Sequence, residues 1–226
     1  MIIILFFNIY CNIGNNIKMF AFIYKKSYFN QTVVLQKERD MSSYDKNPDI
    51  TEMHKYFDFY TYKILPQVQL YTTQKADGCH TLSHTASIVF RGIDYALSLD
   101  ENPMPVVFAA ACHDMARTHD GFDINHGKNA VPNTKKIMAK FSDVITEPET
   151  DKIVFAITNH TTGEKAPDYI SACLWDADRT RLSWRYGFDA RFFNTERAKY
   201  VASHAYQDYI AFQKKCFPKL FWSHEY

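Results

Sequence analysis

Ala110-Ala111-Cys112-His113-Asp114 ends an apolar run with two ionisable residues side by side. Nothing from Val106 to Cys112 is polar, so the segment reads as a helix buried on all sides. An imidazole and a carboxylate at the end of such a helix cost free energy unless they are paired or coordinated. Adjacent helical residues point about 100° apart. This pair therefore converges only on something small and charged at the helix end, and a metal ion fits. Three further histidines have similar settings: Leu82-Ser83-His84, Ile124-Asn125-His126-Gly127 and Ala156-Ile157-Thr158-Asn159-His160. Leu174-Trp175-Asp176-Ala177-Asp178-Arg179 adds two acids on an otherwise apolar stretch. One such histidine is ordinarily a hydrogen-bonded core residue. Four of them with three buried-looking acids would each need a polar partner, and one shared cation satisfies them together. Imidazole nitrogen with carboxylate oxygen suits zinc, iron, manganese or nickel, and no cysteine pair signals a structural zinc site. Asp176 and Asp178 lie about 200° apart around a helix, so only one of them can face the metal.

The elements that must position these residues are helical. Ile50-Thr51-Glu52 opens a helix with Tyr56, Tyr60, Ile64 and Val68 as its stripe, and Pro66 is expected to kink it. Ser83 to Leu99 forms the next, with Ile88, Val89, Ile93, Ala96 and Leu97 on its apolar face, and Pro105 to Asp114 is the buried helix. A polar loop covers Arg117 to Asn125, and Asn125 to Phe141 is helical, interrupted or kinked at Pro132. Glu147-Pro148-Glu149 starts a helix that reaches His160, with proline early and acids in the first turn. Pro167 opens the helix of Asp176 and Asp178, and Thr195 to Cys216 is the last. No alternating strand pattern occurs. The expectation is all-α: one compact domain of about seven helices over 49–226, preceded by an irregular N-terminal extension over 1–48. Met1 to Phe7 is apolar but too short for a bilayer span, and it lacks a secretory n-region and cleavage site. Met19 and Met41 are alternative starts, and no function is placed in the extension.

Composition narrows the class. Eighteen Phe and fifteen Tyr against seven Gly favour a helical body over a turn-rich sheet. The net charge of +1 argues against a nucleic-acid or membrane-surface partner. Five scattered cysteines read as reduced thiols, which points to the cytoplasm. No phosphate-binding glycine loop is present.

Taken in order, His84, His113-Asp114 and a late aspartate resemble the HD-domain superfamily of metal-dependent phosphohydrolases, over about residues 50 to 215. Gly78-Cys-His80-Thr-Leu-Ser-His84 is similar to that family's first-ligand segment, and Asp176-Ala-Asp178-Arg179 to its last motif. The resemblance implies four ligands converging from three helices, with Asp178, which follows the small Ala177, as the final one. Asp176 would then orient a ligand or contact substrate. Asp123-Ile-Asn-His126-Gly127 and Ala156-Ile-Thr-Asn-His160 match extra histidines of some branches. They imply as many as six ligands and one or two ions of manganese, iron, nickel, cobalt or zinc. The implied activity is hydrolysis of a phosphomonoester or phosphodiester, with a nucleotide or similar small phosphorylated compound as substrate. The metal lowers the pKa of bound water and supplies hydroxide near neutral pH. Asp114 would bridge or accept a proton, and His80, one helical turn before His84, would be catalytic. Lys128 and Arg179, with Arg91, Arg117 and Arg181, are candidates for phosphate contact. The chain departs from the family where Thr180-Arg181 replaces the common Leu-Asp, which bears on substrate contacts. Two other readings share the scaffold: a di-iron oxygenase and a non-catalytic regulatory module. Oligomeric state is open.

Overall fold

The structure, a computed structural model, describes residues 48–74, 80–162 and 165–216. The N-terminal extension lies outside the described residues. Among those described, every regular element is helical and no strand occurs. None of the helices is long and apolar enough to cross a membrane.

The helices start where capping chemistry allows. Asp49 accepts from the Thr51 N–H at 2.8 Å and opens α1 (Ile50–Phe59). A π-helical turn over Tyr60–Ile64 leads into α2 (Leu65–Gln69). The expected kink at Pro66 thus takes the form of a widened turn just before it, because proline has no N–H to continue the ladder. Thr81 caps α3 (Leu82–Leu97), which places His84 in its first turn. Asn102 caps α4 (Pro103–Cys112), with Pro103 at the first position. A loop then leads to α5 (His126–Met138). Pro132 does not end α5. It is exposed, so the carbonyl it leaves unbonded can be met by water. Thr146 and Glu149 form a reciprocal capping box at the start of α6 (Glu147–Asn159). α7 spans Tyr169–Tyr186. The expected final helix is divided into α8 (Glu196–Tyr200), a second π-helical turn and α9 (Tyr206–Cys216).

α4 is the centre of the packing. Val106 to Cys112 are all at most 1% exposed, which needs neighbours on every side. α1, α2, α3, α5, α6 and α7 all contact it. α3 lies between α4 and α7, and α6 bridges α4, α5 and α7. Burying each large apolar side chain is worth about 1.5–3 kcal/mol, so this arrangement is fixed by area rather than by polar contacts. A few buried polar links set its register. Trp175 Nε1 donates to the Ala156 carbonyl at 2.9 Å and ties α7 to α6. The Tyr95 and Thr180 hydroxyls meet at 2.8 Å between α3 and α7. The C-terminal end of α4, with His113 and Asp114, therefore opens among the first turn of α3, the start of α5, the end of α6 and the middle of α7.

Candidate metal centre

Helix ends supply most of this site. His113 and His160 are the residues that close α4 and α6, where the last carbonyls lack helical partners. Each imidazole uses one. His113 Nδ1 donates to the Ala110 carbonyl and His160 Nδ1 to the Ile157 carbonyl, both at 2.7 Å. His126, the first residue of α5, donates Nδ1–H in the same way to the Asp123 carbonyl. In all three Nδ1 is thereby engaged, and Nε2 is turned toward the other members of the cluster.

Six side chains meet there in two groups. His84, His113 and Asp178 form one, and Asp114, His126 and His160 the other, with ligand atoms inside each group no more than 4.8 Å apart. Asp114 faces both groups. Its Oδ2 lies 3.4 Å from His113 Nε2 and 3.9 Å from His84 Nε2. Its Oδ1 lies 2.9 Å from His126 Nε2 and 3.8 Å from His160 Nε2. Asp178 Oδ1 stands 3.4 Å from His84 Nε2.

The donor set fits a cation on two observations. His84 Nδ1 is buried with no hydrogen-bond partner, and Nε2 of His84 and of His113 face the Asp178 and Asp114 carboxylates at 3.4 Å without hydrogen-bond geometry, a poorly satisfied state for buried polar groups. His126 Nε2 and His160 Nε2 are 2.7 Å apart, and with both Nδ1 atoms already protonated these are two lone pairs face to face. A proton or a metal ion between them removes the repulsion. His113 and Asp114 hold charge without metal. Burial opposes the imidazolium of His113, yet the Asp114 carboxylate beside it, with Asp178, pushes it up to about 9. Burial likewise opposes ionisation of Asp114 and Asp178, but the adjacent histidines hold both below the usual carboxylate range. His160 is pushed down to about 4 by burial and by His113. A divalent ion must therefore displace the His113 proton at neutral pH. Metal affinity is expected to rise by up to about tenfold per pH unit from 7 toward 9 and then level off. Chelator competition across that range measures it, and a flat profile would contradict the charge state given for His113. In chelated protein the raised His113 adds stability that is full below its unfolded pKa of about 6.5 and is lost as pH rises through about 9.

The other sequence candidates divide. His80 borders the cluster, its ring 5.5 Å from that of His84, with Nδ1 2.9 Å from the Asp120 carboxylate. Arg179 donates Nη1–H to the Phe192 carbonyl and lies over the Trp175 ring, while its Nη2 is buried without a hydrogen-bond partner. Lys128 is exposed and makes no hydrogen bond or ion pair among the described residues. Arg91 is fully buried, donating to the Ala177 carbonyl, so it belongs to the core and not to phosphate contact. The substrate contact expected of Asp176 is corrected by its surroundings. Its carboxylate is fully buried and accepts from the Asn194 N–H and side-chain amide and from the N–H and hydroxyl of Thr195, at 2.7 to 3.0 Å. Asp176 latches the 187–195 loop onto α7; the helical offset that turns Asp178 toward His84 turns Asp176 away from the cluster.

Three further residues shape the site, of which the sequence offers Arg117 as a candidate for phosphate contact, Gly127 only within a motif, and Asp120 not at all. Arg117 Nε is 3.6 Å from Asp114 Oδ1 and has no hydrogen-bond partner; three residues after Asp114, it had only a general claim as a nearby cation. Asp120 lies in a polar loop with nothing to single it out. Gly127 lets the start of α5 press against the end of α6. A Cβ there would collide with the Ile157 carbonyl oxygen, the one that holds His160, and sit 3.1 Å from the His160 ring. Gly127→Ala is expected to cost about 1–3 kcal/mol in thermal unfolding and to weaken metal binding, because His160 must move. Wild-type stability with wild-type metal affinity would refute the role given to this glycine.

No family model matches the sequence, and no curated protein matches it. The structure is similar to the crystal structure of a predicted HD superfamily hydrolase from an uncultured Thermotogales bacterium. The TM-score is 0.53 at 20% identity, and the match covers 71% of this chain and 92% of that one. The chain has the HD-type all-helical fold, with a buried cluster of four histidines and two aspartates able to hold a metal ion where α3, α4, α5, α6 and α7 meet.

Proposed function

We propose that the protein is a metal-dependent phosphohydrolase that would hold two divalent ions, with Asp114 shared between their ligand groups, and that acts on a small phosphorylated compound such as a nucleotide. The observation that carries the binuclear reading is the division of Asp114 between the two histidine groups, one carboxylate oxygen to each. His84, His113 and Asp178 would hold one ion and His126 and His160 the other. Divalent ions so placed supply Lewis acidity toward phosphoryl oxygens and lower the pKa of water.

The chain's own residues support an anionic substrate. Arg117 pairs with Asp114 through Nε at 3.6 Å, and Arg179, next to Asp178 in the chain, keeps a buried Nη2 with no hydrogen-bond partner. A phosphoryl oxygen satisfies such donors well, because charge-assisted bonds are shorter and stronger than neutral ones. Asp114 and Asp178 stay ionised at neutral pH, so they are not proton donors there. Outside the ligand set, the His80 imidazole borders the cluster and would contact a leaving-group or phosphoryl oxygen. The named hydrolase neighbour is compatible with this reading.

The test is a screen of phosphomonoesters, phosphodiesters and nucleotides with manganese, cobalt, nickel, iron or zinc supplied singly. Release of phosphate or alcohol that depends on added metal and stops with chelator is expected. Oxygen consumption by the iron-loaded protein without phosphoester hydrolysis would replace this reading with an oxygenase.

A further inference from the structure

The loop between α4 and α5 begins at ligand Asp114 and ends at ligand His126, and its polar groups hold site residues. The Gly121 carbonyl accepts from Arg117 Nη1 at 3.3 Å, and the Asp123 carbonyl accepts from His126 Nδ1. Asp120 supplies a link through its carboxylate. Its Oδ1 accepts from the His80 backbone N–H at 3.3 Å and lies 2.9 Å from His80 Nδ1. The two residues are 40 positions apart, so the contact is tertiary.

We propose that Asp120 is a positioning residue that holds His80 in the Nδ1–H tautomer, with Nε2 left available to the substrate. His113, His126 and His160 each give Nδ1–H to a carbonyl oxygen, which leaves Nε2 for a ligand. His80 is arranged in the same way but with a carboxylate as acceptor. Its ring packs edge-on against His84 at 5.5 Å, close to the cluster but outside the ligand groups. The bond to Asp120 thus fixes a non-ligand imidazole, both in tautomer and in ring plane. Asp120 is half-exposed and His80 a quarter exposed, so the pair adds little to stability, and its value lies in orientation. This role for His80 at the substrate rests on the phosphohydrolase reading.

The experiment has two arms on the zinc- or manganese-reconstituted full chain. In the first, long-range proton–nitrogen NMR of the zinc form at pH 8 reads the His80 tautomer. Nδ1–H is expected in the wild type and in Asp120→Asn, whose amide oxygen can still accept, while Asp120→Ala shifts His80 toward Nε2–H. In the second, hydrolysis of p-nitrophenyl phosphate and bis(p-nitrophenyl) phosphate by the manganese form is followed. Asp120→Ala is expected to lower kcat about tenfold or more, the scale for losing a residue that orients another, with KM little changed. Asp120→Asn restores most of the rate, and adding Asp120→Ala to His80→Ala costs nothing further. An unchanged His80 tautomer in Asp120→Ala, or additive losses in the double variant, would overturn the proposal. If neither ester is hydrolysed by the wild type, the phosphohydrolase reading loses its support and the NMR arm alone decides the positioning role.

Discussion

Asp114→Ala is expected to remove metal-dependent hydrolysis, by roughly a thousandfold or more, and to lower bound metal while the helical circular dichroism spectrum stays close to wild type. The reason is geometric. Asp114 is the carboxylate that, among the described residues, is placed against both histidine groups through separate oxygens, so its loss leaves each potential ion one carboxylate short. It also removes the charge that raises His113. The fold should persist because α4 is held by its apolar surface, with Val106, Val107 and Phe108 fully buried, and not by the polar pair at its end. A variant that hydrolyses phosphoesters at the wild-type rate would remove Asp114 from the mechanism.

Replacing His126 and His160 together by alanine is expected to halve the metal content, from two ions per chain to one. These two imidazoles and Asp114 Oδ1 form one group, while His84, His113 and Asp178 form the other. The pair also carries the 2.7 Å nitrogen–nitrogen contact, which no longer needs a cation once both rings are gone. Hydrolysis should fall with the loss of that ion, because two ions clamp the attacking and leaving oxygens better than one. Unchanged metal content in the double variant would exclude these histidines as ligands and leave a single ion.

Much of this arrangement was readable from the chain. The apolar run before His113 could only be a buried helix, and it is the central one. The four histidines and Asp178 stood out because each interrupts or ends an apolar segment, where an unpartnered polar group is costly. Asp178 against Asp176 could not be decided by spacing alone; what separates them is the latch between Asp176 and the Asn194-Thr195 backbone, a tertiary contact with no periodic signature. Asp120 was hidden for a similar reason. It sits in a polar loop where an acid is unremarkable, and only the fold carries that loop back over His80. Arg117 stood among the cations near the ligands, but its pairing with Asp114 is a product of the fold. Gly127 was visible only as part of a motif, since the collision it avoids depends on how closely α5 approaches α6. The π-helical turn before Pro66 reflects local backbone accommodation that hydrophobic periodicity does not encode.

The central claim is that six side chains gather because they share divalent cations. Elemental analysis tests it most directly: the purified full-length chain is stripped with chelator, reconstituted with manganese or zinc, and freed of excess ion. The account predicts two ions retained per chain, one for each histidine group. Retention of none at neutral or mildly alkaline pH would contradict it.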